Sequence, residues 1–100
     1  MKLDHVALVV KNPRESADWY VKNLSATIEY IDDTWAMLRV GDNKIALTIK
    51  SQHPPHIAFS MLDLPEDRKA YKTHRDGSHY LYISDPDGNI IELIHYPEGG

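Results

Sequence analysis

Two histidines and a glutamate, His5, His56 and Glu92, lie far apart in the 100-residue chain, each inside a short run with strand character. Neutral imidazole nitrogens and a carboxylate oxygen suit divalent Fe, Mn, Ni or Zn sites that keep coordination positions open. Glu92 is the least comfortable of the three. It sits in Ile90-Ile91-Glu92-Leu93-Ile94, apolar on both faces of a strand. A carboxylate there is costly unless something positive meets it, and a metal ion would supply that charge. The chain has no cysteine, so nitrogen and oxygen must hold any ion, and disulfide and thiolate chemistry are excluded.

The elements that must position these residues follow from periodicity. Leu3 to Val10 alternates as a strand, with Leu3, His5, Ala7 and Val9 on one face. A helix follows, capped by Asn12, with Pro13 at its first position and Glu15 three residues after the cap. Ala17, Tyr20, Val21 and Leu24 recur at helical spacing as its expected buried face. Ala26 to Ile31, Thr34 to Val40 and Lys44 to Ile49 read as three more strands, separated by turns at Asp32-Asp33 and Gly41-Asp42-Asn43. Residues 1–50 therefore read β-α-β-β-β.

Residues 51–55, polar and proline-rich, read as a linker, and the pattern then restarts over 56–97. His56 to Met61 is a strand. Pro65 opens a short helix with Glu66 and Asp67 in its first turn, His74 and Arg75 near its end and Gly77 after it. His79 to Ile83 and Asn89 to His95 are strands joined by the turn Asp85-Pro86-Asp87-Gly88. The second half reads about β-α-β-β, one strand short of the first. The expected class is α+β, built as one domain from two weakly duplicated modules.

Composition narrows the function. One hundred residues suit a single domain. The net charge of −4 is mild, and no basic stripe points to nucleic acid. No apolar run approaches the roughly 20 residues of a membrane span. The opening Met1-Lys2-Leu3-Asp4-His5 lacks a signal-peptide pattern, so the cytosol is the expected compartment.

The opening Leu3-Asp4-His5-Val6-Ala7-Leu8, the segment Ser16 to Tyr20 with Leu24, and above all Asp85-Pro86-Asp87-Gly88-Asn89 followed by Glu92-Leu93, resemble the vicinal oxygen chelate superfamily. That superfamily holds glyoxalases, extradiol dioxygenases, fosfomycin-resistance proteins and bleomycin-binding proteins. The resemblance implies paired βαβββ modules forming an open, cup-shaped sheet, with metal ligands on the first and last strand of each module. His5, His56 and Glu92 match the first, third and fourth ligand positions. Ala46 falls where glyoxalases and epimerases have Glu or Gln; it cannot bind metal, and Thr48 on the same face is a poor ligand. His53 is the rival to His56, which is favoured because Ile57-Ala58-Phe59 continues its strand. The resulting His-His-Glu set is similar to that of extradiol dioxygenases and fosfomycin-modifying enzymes. The lost strand of the second module would leave the cup shallow, and a homodimer partner would close it.

If the Asp85 to Gly88 turn sets the register, Tyr82 lies opposite or nearly opposite Glu92, with Tyr80 on the same face. Its phenol is then a candidate general acid. A register shifted by one residue would bring His79 into the cup instead. His74 and His95 read as surface residues, with His95 facing away from Glu92. Trp35, Met37 and Arg39 share one face of the third strand; Arg39 reads as a charge near a turn before it reads as an anion-binding group.

The expected function is that of a small metal-dependent enzyme using Fe2+, Mn2+, Ni2+ or Zn2+ to chelate vicinal oxygens of a small substrate. Dioxygenase, lyase, isomerase and transferase chemistry all fit. The alternatives are a non-catalytic small-molecule binding protein of the bleomycin-resistance kind, and a reduced module that keeps its metal residues as a stabilising clasp.

Overall fold

A computed structural model of the protein describes residues 1–62, 71–74 and 77–97. Among these, eight strands and one helix follow one another as β1 (Lys2–Val9), α1 (Pro13–Leu24), β2 (Thr27–Ile31), β3 (Trp35–Val40), β4 (Asn43–Thr48), β5 (His56–Ser60), β6 (Lys72–Thr73), β7 (His79–Ser84) and β8 (Ile90–His95). The α+β class is as expected, and strand boundaries agree with the sequence reading to within a residue or two. The chain forms two compact units: His5–Pro55, and Met1–Asp4 together with the chain from His56 onward.

In the first unit the strands run in the order β2-β3-β4-β1. β1 pairs parallel with β4, with Val6 beside Ile45 and Val9 beside Thr48; β2, β3 and β4 are antiparallel neighbours. The parallel pair needs a crossover, and α1 supplies it. Its start is built as the sequence predicts: Asn12 is extended, its Oδ1 accepts from the Glu15 N–H at 3.1 Å, and Pro13 occupies the first turn. Ser25 ends it in the left-handed region at φ 55°. The core is Ala17 and Ala26 against Ala36, Leu38 and Leu47. Small side chains let the helix lie close over the sheet.

The helix buries less than its periodicity suggests. Pro13 and Ala17 are buried and Tyr20 is half-buried, whereas Val21 and Leu24 are 38% and 46% exposed. Val21 lies on the flank of the Pro13–Ala17–Tyr20 stripe, and Leu24 is the last helical residue, so neither has a partner layer beneath it. The opposite face of the sheet carries His5 and Ala7 from β1, Ala46 and Thr48 from β4, and Trp35 and Met37 from β3, as strand alternation requires.

In the second unit the order is β5-β8-β7-β6. β5 and β8 are parallel, with Ala58 beside Glu92; β8 and β7 are antiparallel, with Tyr82 beside Glu92. The β7–β8 turn is clasped by Asp85. Its Oδ1 accepts from the N–H groups of Asp87 and Asn89 at 2.9 and 2.8 Å, and its Oδ2 from the Asn89 side chain at 2.8 Å. Gly88 turns the chain at φ 86°, a value that L side chains adopt only under strain. The N-terminal residues are tied into this unit by Tyr96, whose hydroxyl donates to Asp4 Oδ2 at 3.0 Å, and by Ser60 Oγ, which donates to Lys2 O at 3.4 Å.

The second module is shorter than the first, but it is not one strand short as the sequence suggests: among the described residues each half has four strands, and the difference lies before β7. Residues 63–70, where the sequence predicts a helix opening at Pro65, lie outside the described residues. The expected end of that helix is instead β6, in which Lys72 pairs with Tyr80 and Thr73 with His79. His74 N–H reaches Ser78 O at 2.9 Å and Gly77 N–H reaches His74 O at 3.0 Å, closing a tight hairpin with Gly77 at φ 87°. Two residues are too few to show alternation, so the same Gly77 reads equally as a helix stop or a hairpin turn.

Candidate metal centre

Glu92 stands at the middle of β8, flanked by Ala58 on β5 and Tyr82 on β7. Its side chain is 2% exposed. A buried carboxylate is tolerated only with partners, and it has two imidazoles. Oε1 lies 3.2 Å from Nε2 of His56, the first residue of β5, whose side chain is 4% exposed. Oε2 lies 2.9 Å from Nε2 of His74, just beyond β6. The two oxygens therefore meet different histidines.

Tyrosines frame this group. The His56 ring meets the Tyr82 ring edge-on at 5.3 Å between centroids. Tyr82 in turn meets Tyr80 edge-on at 5.5 Å, and Tyr80 stacks on His74 at 3.7 Å with the rings 10° from parallel. Burial pushes the Tyr82 phenol well above the ordinary tyrosine range, and the nearby Glu92 and Tyr80 add to the effect. Its hydroxyl is thus a proton carrier at neutral pH, able to donate a hydrogen bond to an oxygen but not to act as a phenolate base.

The separation of 3.2 Å between His56 Nε2 and Glu92 Oε1 tests whether an ion fits. Two ligand atoms about 2.1 Å from one cation are about 3.0 Å apart at an octahedral edge and about 3.4 Å at a tetrahedral one. The pair lies between these values, so either geometry is reached with little movement. His5 is buried on β1 in the other unit. Among the described residues, His5, His56 and Glu92 are buried side chains that each offer a potential ligand atom.

The other sequence-derived candidates fall as follows. The Tyr82–Glu92 register is the one the β7–β8 turn predicts. It puts His79 opposite His95 on the other face of β7, where the two rings lie 6.5 Å apart and His79 Nδ1 is 3.2 Å from Thr73 Oγ1. The shifted register that would bring His79 beside Glu92 is not adopted. Ala46 is buried, and the Thr48 hydroxyl donates to Ile49 O and His53 O. Arg39 pairs with Glu29 at 2.8 Å.

His74 corrects the sequence reading, which puts it on the surface. Its side chain is only 29% exposed and it holds the buried carboxylate. The signal lies in Thr73 and His79: pairing them across Gly77 makes a hairpin that swings His74 inward, whereas a helix there turns it out.

The family model described as Glyoxalase/Bleomycin resistance protein/Dioxygenase superfamily matches residues 2–72. No curated protein sequence matches the chain. Several solved structures share the fold. A hypothetical protein from Bacillus halodurans C-125 superposes with a TM-score of 0.79 at 18% identity, covering 99% of this chain and 96% of that one. A glyoxalase/bleomycin resistance protein/dioxygenase superfamily member from Vibrio splendidus 12B01 gives 0.70 at 13% identity, covering 91% and 95%. A single-residue variant of methylmalonyl-CoA epimerase from Streptomyces coelicolor, in complex with 2-nitronate-propionyl-CoA, gives 0.75 at 15% identity, covering 97% and 98%.

Proposed function

Because the chain belongs to the Glyoxalase/Bleomycin resistance protein/Dioxygenase superfamily, we propose that it holds a divalent cation through His5, His56 and Glu92 and binds a small molecule by two adjacent oxygens. The observation that carries this reading is the buried Glu92 carboxylate with His56 Nε2 at 3.2 Å, a spacing that suits one cation. His5 completes the donor set. It follows directly on Asp4, which Tyr96 anchors in the unit that holds His56 and Glu92. Three protein ligands leave coordination positions for substrate, as in catalytic metal sites. Fe2+, Mn2+, Ni2+ and Zn2+ all suit two imidazoles and a carboxylate.

A bound ion would polarise the chelated oxygens and stabilise negative charge that develops on them. Tyr82 acts beside it, its protonated hydroxyl donating to an anionic substrate oxygen. Ala46 offers no acid–base group at the position where glyoxalases and epimerases carry Glu or Gln, so the chemistry that fits best needs no second carboxylate: oxygenation, or addition and isomerisation with Tyr82 as acid. His79 is left out of this role by its face.

The same Ala46 also favours a second reading, a binding protein that sequesters its ligand without turnover. Assembly as a homodimer and a cytosolic setting belong to both readings.

Metal analysis of protein purified anaerobically without an affinity tag tests the first reading. About one Fe, Mn, Ni or Zn per chain is expected, lost in Glu92→Ala. Full metal retention in that variant removes the site. Absence of metal, with none taken up on soaking, leaves the binding-protein reading.

A further inference from the structure

The two oxygens of Glu92 meet different histidines, and His74 holds one of them. Oε1 faces His56 Nε2 at 3.2 Å; Oε2 is held by His74 Nε2 at 2.9 Å. An ionised carboxylate only accepts hydrogen bonds, so His74 must carry its proton on Nε2 and donate it. His74 is outside the group of His5, His56 and Glu92 that could hold an ion, which makes it a partner of the carboxylate and not a fourth ligand. The imidazole is itself fixed. Its ring stacks on Tyr80 at 3.7 Å and 10°, and its backbone is pinned on both sides of the β6–β7 turn by His74 N–H to Ser78 O at 2.9 Å and Gly77 N–H to His74 O at 3.0 Å.

We propose that His74 is a positioning residue that ties down one oxygen of Glu92, so that the carboxylate binds a divalent ion through Oε1 alone. The inference rests on the proposed metal centre and adds to it a stated denticity. A free carboxylate swings to offer both oxygens to a cation and fills an extra coordination position. One whose second oxygen is held by an imidazole N–H cannot. A monodentate Glu92 keeps that position for the second substrate oxygen. Hydrogen bonds to metal ligands also raise affinity by pre-orienting them, and their loss costs about 10–100-fold in metal binding.

The short hairpin makes this arrangement possible. Placing Thr73 opposite His79 and Tyr80 opposite Lys72 leaves His74 as the first residue past the ladder, on the Tyr80 side of the sheet.

Co2+ serves as the probe, because its visible absorption reports coordination number. Wild type, His74→Ala, His74→Gln and Glu92→Ala are titrated with Co2+, with circular dichroism to verify folding. Saturable binding in wild type and its loss in Glu92→Ala uphold the metal centre. On that footing, His74→Ala is expected to bind about 10–100-fold more weakly, with a visible spectrum shifted toward higher coordination. His74→Gln, which restores an N–H donor, is expected to recover most of the affinity and the wild-type spectrum. Wild-type affinity and spectrum in His74→Ala overturn the positioning role while leaving the metal centre standing. Should the alanine variant fail to fold, the glutamine variant decides: a wild-type spectrum supports the role, and a His74→Gln protein that folds but shows the higher-coordination spectrum overturns it. No Co2+ binding in wild type, or unchanged binding in Glu92→Ala, overturns the metal centre and this inference with it.

Discussion

A carboxylate buried to 2% exposure and met by two imidazoles is the feature on which the proposed chemistry turns. Left alone at that depth, Glu92 would be destabilising. Paired with histidines, it is the proposed seat of a cation that would supply the compensating charge. Tyr82 is the residue beside it with a group to offer. Its raised pKa, caused first by burial and then by Glu92 and Tyr80, keeps the phenol protonated across the neutral range. Tyr82→Phe is therefore expected to lower turnover by about 10²–10⁴-fold, the usual worth of a general acid, with metal affinity nearly unchanged. Steady-state rates alongside a metal titration check this; equal rates in the two proteins would leave Tyr82 as packing for His56. The histidines show how far residue type alone carries. Glu92 is recognisable because it interrupts an apolar strand, and His5 and His56 because the resemblance places ligands on the strands that hold them. His74 is not, because nothing in Tyr71-Lys72-Thr73-His74 distinguishes a helix end from the first arm of a hairpin.

At the level of elements, turns and caps set the registers that build the site. The Asp85 carboxylate receives bonds from Asp87, Asn89 and the Asn89 side chain. These hold its pKa below the ordinary aspartate range, the Asn89 side chain contributing most. That turn puts Tyr82 opposite Glu92; one residue of slip would present His79 instead. The clasp is made by the ionised form. Its folded pKa is depressed, so its contribution is complete above the unfolded value of about 3.9 and is lost as pH falls through that value toward the folded one. Asp32 behaves alike, its carboxylate held down by Tyr30 and by the Thr34 and Trp35 N–H groups. Thermal melts from about pH 6 down to about pH 2.5 are expected to show stability falling below about pH 4. Asp85→Asn removes part of this acid dependence, and an unchanged pH profile in that variant would remove the clasp from the account. The Asp85–Gly88 turn and the Asn12 cap are legible in the sequence because both act through neighbours within four residues.

The chain divides into two compact units, and one boundary between them in sequence falls within β1. Residues 2–4 of β1 belong to the unit of β5 to β8, and the strand continues from His5 in the other. The family match spans residues 2–72, and the structural neighbours span nearly the entire chain. Among the described residues no helix is long and apolar enough to cross a membrane. The first unit leaves Trp19, Val21, Leu24 and Ile28 between 38% and 55% exposed. Association of two chains is the proposed cover. Light scattering on the purified protein is expected to give twice the chain mass of 11.5 kDa. A monomer mass at every concentration would withdraw the dimer.

Local signals were enough to give the order of the long strands, the helix with its cap, the β7–β8 turn and the identity of three candidate ligands. Each of those signals is contained within a few residues: period-two alternation, side-chain capping, a turn motif, a charge inside an apolar run. Packing in three dimensions settled the rest: that Leu24 and Val21 stay exposed, that Lys72–Thr73 forms an edge strand, and that His74 reaches Glu92. Each of these depends on a partner distant in sequence. The sheet beneath the helix sets how much of its stripe is covered, and a two-residue strand exists only because β7 offers it a ladder. A histidine becomes part of a site when a carboxylate 18 residues away accepts its hydrogen bond.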